Sequence, residues 1–208
     1  MKNILVLISD LKGKESNSYA IFNKIKNILD ENNYKYHIVL INDEFLNNDI
    51  ELKRLIKKTE VYSNIILITN MQENKLSNNT MDFLEKLLHN KERINKDIMF
   101  SVIINYNYID IKNTEIHLNY CESIIKKIGL KWQKGIGATL QQNAWKEDLK
   151  KNKKRYSPLI VELEFLCANI ESNKKCYEHS FVTPFMPKSI FQGLSKLNSL
   201  KEKYCLKK

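Results

Sequence analysis

The chain has little of what interrupts or staples a fold. In 208 residues there are five glycines and three prolines, Pro158, Pro184 and Pro187. The four cysteines, Cys121, Cys167, Cys176 and Cys205, form no CxxC pair and have no histidine at metal-ligand spacing. That excludes a zinc-ribbon pattern and leaves reduced thiols as the expectation. No Ser-His-Asp or Cys-His arrangement is legible, so no catalytic side chain and no metal ligand is assigned. No apolar run approaches the ~18–20 residues of a membrane helix. The N-terminal run from Ile4 to Ile8 follows a single lysine, Lys2, and is too short for a signal-peptide core. A cytoplasmic protein without a membrane span is the expectation.

Arginine is scarce too. Of 34 basic residues only Arg54, Arg93 and Arg155 are arginines, although the formal net charge is +10. Nucleic-acid readout relies on Arg forks as well as Lys. The charge therefore reads as solvated lysine faces, and nucleic acid is not an expected partner. The densest cluster, Lys146 to Arg155, is the one place where an anionic surface would bind, and such binding would weaken as salt rises.

What is present is a regular alternation. Hydrophobic residues make up 43% and mean hydropathy is -0.43, an ordinary globular balance. A continuous apolar run predicts a buried strand at Ile4–Ile8, and further strands are read at Tyr34–Ile41, Asn64–Thr69, Asp97–Ile104 and Leu130–Leu140. Helical spacing predicts helices between them. The first is capped by Ser16, Asn17 and Ser18 and carries Ile21, Ile25, Ile28 and Leu29 on one stripe. Others span Ile50–Lys58, Asn78–His89 with Met81, Leu84, Leu87 and Leu88 on its inner face, and Asn113–Ile128 with Ile116, Tyr120, Ile124 and Ile128 spaced by four. Gly129 caps the last of these, and a final helix runs over Pro158–Glu171.

Such alternation predicts an α/β fold with a five-stranded parallel sheet in the order 2-1-3-4-5 and helices on both faces. Ligands of such sheets bind at the carboxyl ends of the strands, at the switch point beside strand one. Three loops meet there: Ser9–Ser18, Asn70–Ser77 and Asn105–Lys112. A single domain spans 1–208, with a core over about 1–172. A C-terminal docking segment over about 184–208 carries Ile190, Leu194, Leu197 and Leu200 at near-helical spacing.

The first loop, SDLKGKESNSY, offers phosphate donors at a helix N-terminus. Ser9, Ser16, Asn17 and Ser18 supply polar side chains, Lys12 and Lys14 add charge, and Gly13 allows a tight turn. The same residues would serve an ordinary helix cap. Asp10 at the mouth opposes an anion. In the other loops Met71, Tyr106 and Tyr108 offer faces for an aromatic ring, and Gln72, Asn74 and Asn105 offer polar contacts. Glu73 and Lys75 read as solvent-facing. His37 and His117 read as structural, His89 and His179 as exposed. Trp132 reads as sheet packing, and Trp145 as lining the site or covering an edge.

These residues resemble those of the flavodoxin-like NAD(P)H-dependent FMN reductases, in particular the clostridial-type oxidoreductases of this length. In that family the first strand runs into Gly-Ser-Pro-Arg and then Ser-Asn-Ser/Thr; here Ser9, Lys12, Lys14 and Ser16-Asn17-Ser18 stand in that region. The stretch from Cys121 to Gln142 is similar to a family helix running into Gly-Leu-x-Trp. The tail from Met186 is similar to a C-terminal helix that begins Met-Pro-Arg. The departures lie in the binding loops. Ile8 and Asp10 replace the opening Gly and Pro. Asn70 to Ser77 replaces an aromatic-bearing loop and shares only Leu76 with it. After strand four Asn105 is kept, Tyr108 stands near the family Phe, and the glycine is lost. The late Gly-x-Gly-Gly is Gly135-Ile136-Gly137-Ala138.

The resemblance implies a flavodoxin-like three-layer sandwich and bound FMN at Ser9, Lys12, Lys14, Ser16, Asn17, Ser18, Met71, Gln72, Asn74, Asn105, Tyr106 and Tyr108. It further implies NAD(P)H as co-substrate, a small-molecule electron acceptor and a homodimer. The eroded loops imply the alternative: a flavodoxin-like chain without flavin, acting as a protein-interaction or regulatory module.

Overall fold

In the computed structural model, residues 3–107, 111–141, 144–146, 153–172, 178–187 and 189–193 are described. The first strand, β1 (Asn3–Ser9), is buried along almost its whole length, as its unbroken apolar run requires. A short 3-10 turn, Gly13–Glu15, leads into α1 (Asn17–Glu31). Ser16 caps α1, its Oγ accepting from the Tyr19 N–H at 3.1 Å. The expected stripe Ile21, Ile25, Ile28 and Leu29 is buried, with Phe22 beside it.

β2 (Lys35–Leu40) is followed by two short helices, α2 (Asp43–Leu46) and α3 (Asp49–Lys58). Then come β3 (Asn64–Gln72), β4 (Lys75–Leu76), α4 (Asn78–His89), β5 (Met99–Tyr106) and α5 (Ile111–Ile128). β6 (Lys131–Thr139), α6 (Lys153–Ser172) and β7 (Ser180–Val182) complete the set. α5 ends on Gly129 at φ 92, where the Gly129 and Leu130 N–H groups return to the Lys126 and Ile125 carbonyls. This is the double return of a glycine C-cap. In α6, Tyr156 leaves helical geometry two residues before Pro158, which cannot donate into a preceding turn.

The sheet has seven strands where five were expected. Its order is β2-β1-β3-β5-β6-β7, parallel throughout, with β4 antiparallel on β3. The two additional strands escaped the pattern for different reasons. β4 is two residues long and follows a two-residue turn in which Glu73 and Asn74 both have positive φ, 48° and 62°. Such turns usually announce themselves with Asn-Gly or Asp-Gly, and this one does not. β7 is three residues long and stays in the sheet because β6 makes room for it. A Cβ on Gly135 would lie 2.6 Å from His179 Nδ1, and one on Gly137 would lie 2.7 Å from the Thr114 methyl and 2.9 Å from the Phe181 ring. The glycines of Gly135-Ile136-Gly137 thus admit the side chains of the edge strand and of α5.

Two apolar clusters sandwich the sheet. One, under α1 and α6, includes Ile4, Ile66, Ile103, Phe22 and Leu163. The other, under α2 to α5, includes Leu5, Leu67, Phe100, Phe83 and Leu118. The helix faces differ from expectation in two places. In α4 the buried face is Phe83, Leu84 and Leu87, while Met81 is exposed. In α5, Ile116 is 64% exposed and Tyr120 is also outward; the buried residues are Thr114, Leu118, Cys121, Ile125 and Ile128. Steps of four drift around a helix of 3.6 residues per turn, so a stripe spaced strictly by four slides off the face. Alternating steps of four and three stay on it. In the C-terminal segment Phe191 is buried; Leu194, Leu197 and Leu200 lie outside the described residues, as do Cys176 and Cys205. No described helix is long and apolar enough to cross a membrane.

Candidate functional site

The ends of β1, β3 and β5 converge on a cleft of about 320 Å³ beside the N-terminus of α1. The loop after β1 supplies Asp10, Lys12, Glu15, Ser16 and Asn17 to its wall. The end of β3 and its turn supply Asn70, Met71, Gln72 and Glu73, and the end of β5 supplies Asn105 and Asn107.

Asp10 sits at the centre of this site's polar network. Its Oδ2 accepts from the Ser18 hydroxyl at 2.8 Å and its Oδ1 from the Lys12 N–H at 3.2 Å. Asn105 Nδ2 donates to Ser18 Oγ at 2.7 Å and to the Thr69 carbonyl at 2.8 Å. One chain of bonds therefore ties the end of β1 to α1, β5 and β3. Asp10 is 7% exposed. Burial pushes its carboxyl above the ordinary 3.8, against the Ser18 hydroxyl, the Lys12 N–H and the Lys12 charge, which favour the anion. Ser16 donates to the Gly13 carbonyl at 2.6 Å, and Asn17 Nδ2 to the Gln141 carbonyl at 2.8 Å. These bonds fix the helix N-terminus against the loop after β6.

Ser9 precedes Asp10 but belongs elsewhere. It is fully buried in a hydroxyl cluster: Thr80 donates to Ser9 Oγ at 2.8 Å, and Ser77 and Thr80 bond at 2.8 Å. Thr69 joins both. This cluster holds the start of α4 on the ends of β1 and β3.

Of the residues expected at the site, Lys12, Ser16, Asn17, Met71, Gln72 and Asn105 line the cleft. Ser18 lies behind it, bonded to Asp10. Ser9 and Lys14 do not line it. Three of the expected residues are held chiefly by the core or by the turn. Met71 touches the cleft but its side chain is 2% exposed and belongs to the apolar cluster, because Met71 pairs with Leu76 and turns inward. Tyr106 is 4% exposed in the same cluster, and its hydroxyl donates to Asn74 Oδ1. Asn74 is thereby a turn residue, its carbonyl also held by His117 Nε2 at 2.8 Å, rather than a cleft contact. Tyr108 lies outside the described residues. Glu73, read as solvent-facing, lines the cleft as well, and so do Asn70 and Asn107, which fall in the expected loops without having been singled out; both lie at the carboxyl ends of strands, which is the signal that marks them.

Asn70 Oδ1 is buried with no donor among the described residues. The charged groups of the lining are three carboxylates, Asp10, Glu15 and Glu73, and one ammonium, Lys12. No group of His, Cys, Asp and Glu among the described residues has the makings of a metal site. Burial raises the thiols of Cys121 and Cys167 to about 12, so neither is a thiolate nucleophile. His179, expected to be exposed, is packed edge-on against Trp132 and Phe181, with Nε2 3.0 Å from Asn119 Oδ1 and 3.3 Å from Glu122 Oε2. His37 is exposed on β2. Trp132 packs in the core as expected; the Trp145 side chain and residues 147–152 of the lysine-rich cluster lie outside the described residues.

No family model and no curated protein matches the sequence. Solved structures match the fold. RosB, crystallised with 8-demethyl-8-formylriboflavin-5'-phosphate, covers 100% of this chain over 88% of its own, with a TM-score of 0.62 and 12% identity. The flavodoxin of Streptococcus pneumoniae TIGR4 covers 83% of this chain and 99% of its own, with a TM-score of 0.53 and 13% identity. An FMN-dependent NADH-azoreductase from Bacillus anthracis, in complex with FMN, covers 82% and 99%, with a TM-score of 0.52 and 12% identity. The fold is flavodoxin-like.

Proposed function

We propose that the chain is an FMN-binding oxidoreductase that takes hydride from NAD(P)H and passes electrons to a small-molecule acceptor. The observation that carries this reading is the convergence of the β1, β3 and β5 ends on one cleft at the α1 N-terminus, with a carboxylate already held there by a hydroxyl and a backbone N–H. That carboxylate stands in for an anion and marks the seat as one. Two features fit the group. The N-terminus of α1 abuts the cleft, where the helix dipole favours an anion, and Ser16 and Lys12 line the cleft beside it. Asn70 offers a buried acceptor without a donor, which an N–H on a flavin ring edge would satisfy.

In this reading Lys12, Ser16 and the α1 N-terminus hold the phosphate. Asn17, anchored on the Gln141 carbonyl, keeps that N-terminus in place. Asn70 and Asn105 orient the ring edge from β3 and β5. Bound FMN supplies the hydride chemistry itself, so the protein needs to bind and orient rather than to offer an acid or base. A homodimer belongs to the same proposal.

A second reading rests on Met71 and Tyr106. Both are turned into the core, so among the described residues the cleft shows amides and carboxylates where a flavin ring wants an apolar face. On that ground the chain would be a flavin-free member of the fold, acting through a protein partner. A visible spectrum taken after adding FMN and dialysing separates the two. Retained absorbance near ~450 nm, followed by NAD(P)H oxidation, supports the first. Protein that returns colourless at every pH tested supports the second.

A further inference from the structure

We propose that Asp10 is an internal competitor for the ligand phosphate, so that an anion enters this cleft only when the Asp10 carboxylate is displaced or protonated. The inference rests on the FMN reading above and adds a gate to it. Two good donors, the Ser18 hydroxyl from α1 and the Lys12 N–H from the loop, converge on the Asp10 carboxylate, one on each oxygen, and both are spent on it. An ionised carboxylate only accepts hydrogen bonds, as does a phosphate. The two cannot share those donors, and they repel each other. Displacement is local: Asp10 is the first residue beyond β1, and no ladder bond depends on its side chain.

The charges around Asp10 set how the gate responds to pH. From its own loop, Lys12 faces it and favours the anion, while Glu15 lines the same cleft. From the β3 turn comes Glu73. The groups that α1 and β5 present, Ser18, Asn17, Asn105 and Asn107, are uncharged. One positive group against two further carboxylates leaves protonation of Asp10, with a proton from solvent, as the route that costs least when an anion arrives. Proton uptake at Asp10 removes the repulsion and turns an acceptor into a donor that a phosphate oxygen accepts.

The test is FMN binding to the full chain, followed by flavin fluorescence between pH 5 and 8, for the natural protein, Asp10→Asn and Asp10→Ser. Riboflavin, which lacks the phosphate, is the parallel probe, and circular dichroism reports folding. The gate predicts that FMN affinity of the natural protein rises as pH falls. It predicts that both variants bind FMN more tightly at pH 8, by at least about tenfold, the factor that one pKa unit of interaction represents. Their pH slope should keep only the titration of the phosphate itself, and riboflavin affinity should change little. FMN binding with the same affinity and slope in all three proteins would overturn the gate and leave the FMN reading standing. An equal gain for riboflavin would also overturn it, because the effect would not be on the phosphate. FMN binding to none of the folded proteins at any pH would remove the FMN reading and the gate together.

Discussion

Ser9 and Asp10 are neighbours in the chain, yet they enter two networks of opposite character. Ser9 is the last residue of β1 and Asp10 the first beyond it, and the strand's alternation carries their side chains to opposite faces. Ser9 turns toward α4 and joins Thr69, Ser77 and Thr80 in a group made only of hydroxyls. Asp10 turns toward α1 and draws in Ser18, the Lys12 N–H and, through Ser18, Asn105. A hydroxyl both donates and accepts, so four of them can satisfy one another and close. A carboxylate only accepts, so it must collect donors, and the donors it collects are those an anionic ligand would use. The first network locks elements together; the second gathers donors on a carboxylate at the mouth of the cleft.

The comparison can be broken by experiment. Thr80→Val should have the largest effect. It strips Ser9, Thr69 and Ser77 of their closest shared partner and leaves these buried hydroxyls with longer contacts, 3.3 Å from Ser9 to Ser77 and 3.4 Å from Thr69 to Ser77, at a cost of about 3 kcal/mol. Urea denaturation should show that loss at every pH between 5 and 8, since nothing in the cluster titrates. A pH-dependent loss would mean that the two networks are coupled.

Ser18→Ala comes next, at about 2 kcal/mol near neutral pH, because it removes a hydrogen bond to a charged group and leaves Asn105 short of an acceptor. Its cost should shrink as acid protonates Asp10. A cost that stays constant would mean that the carboxylate is not the group being held.

The smallest effect sharpens the contrast by sign. Asp10 titrates above 3.8 in the folded chain, so the stability it contributes is full below 3.8 and is lost as pH rises through the folded value. Asp10→Asn should remove that slope. His179, at the far edge of the sheet, titrates below its ordinary 6.5, chiefly because it is buried. Its stability is present above 6.5 and is lost as pH falls through the lowered value. Denaturation midpoints at closely spaced pH should therefore show two slopes of opposite sign, each removed by its own substitution (His179→Gln for the second).

The fold was largely legible. Strands one, three and four of the expected set are built on apolar runs, and a run of that kind has few alternatives to a buried parallel strand. The caps at Ser16 and Gly129 are read from single residues and stand where they were placed. The misreadings come from short or slanted signals. β4 and β7 carry too few residues to show a period, and the stripe spaced by four in α5 lies across the helix rather than along its buried side. The site was half legible. Its loops follow from the sheet order, but whether Met71 or Tyr106 faces the cleft or the core depends on pleat and register, which composition does not carry.

By itself the sequence determined the longer elements and the caps at the start of α1 and the end of α5, because each of these depends on residues within a few positions of one another. Only the tertiary structure decided what the cleft contains. The bonds that brace its wall join Asp10, Ser18, Thr69 and Asn105. A hydrogen bond acts over about 3 Å, so residues this far apart in the chain can form one only after the parallel register of β1, β3 and β5 has brought them to the same edge.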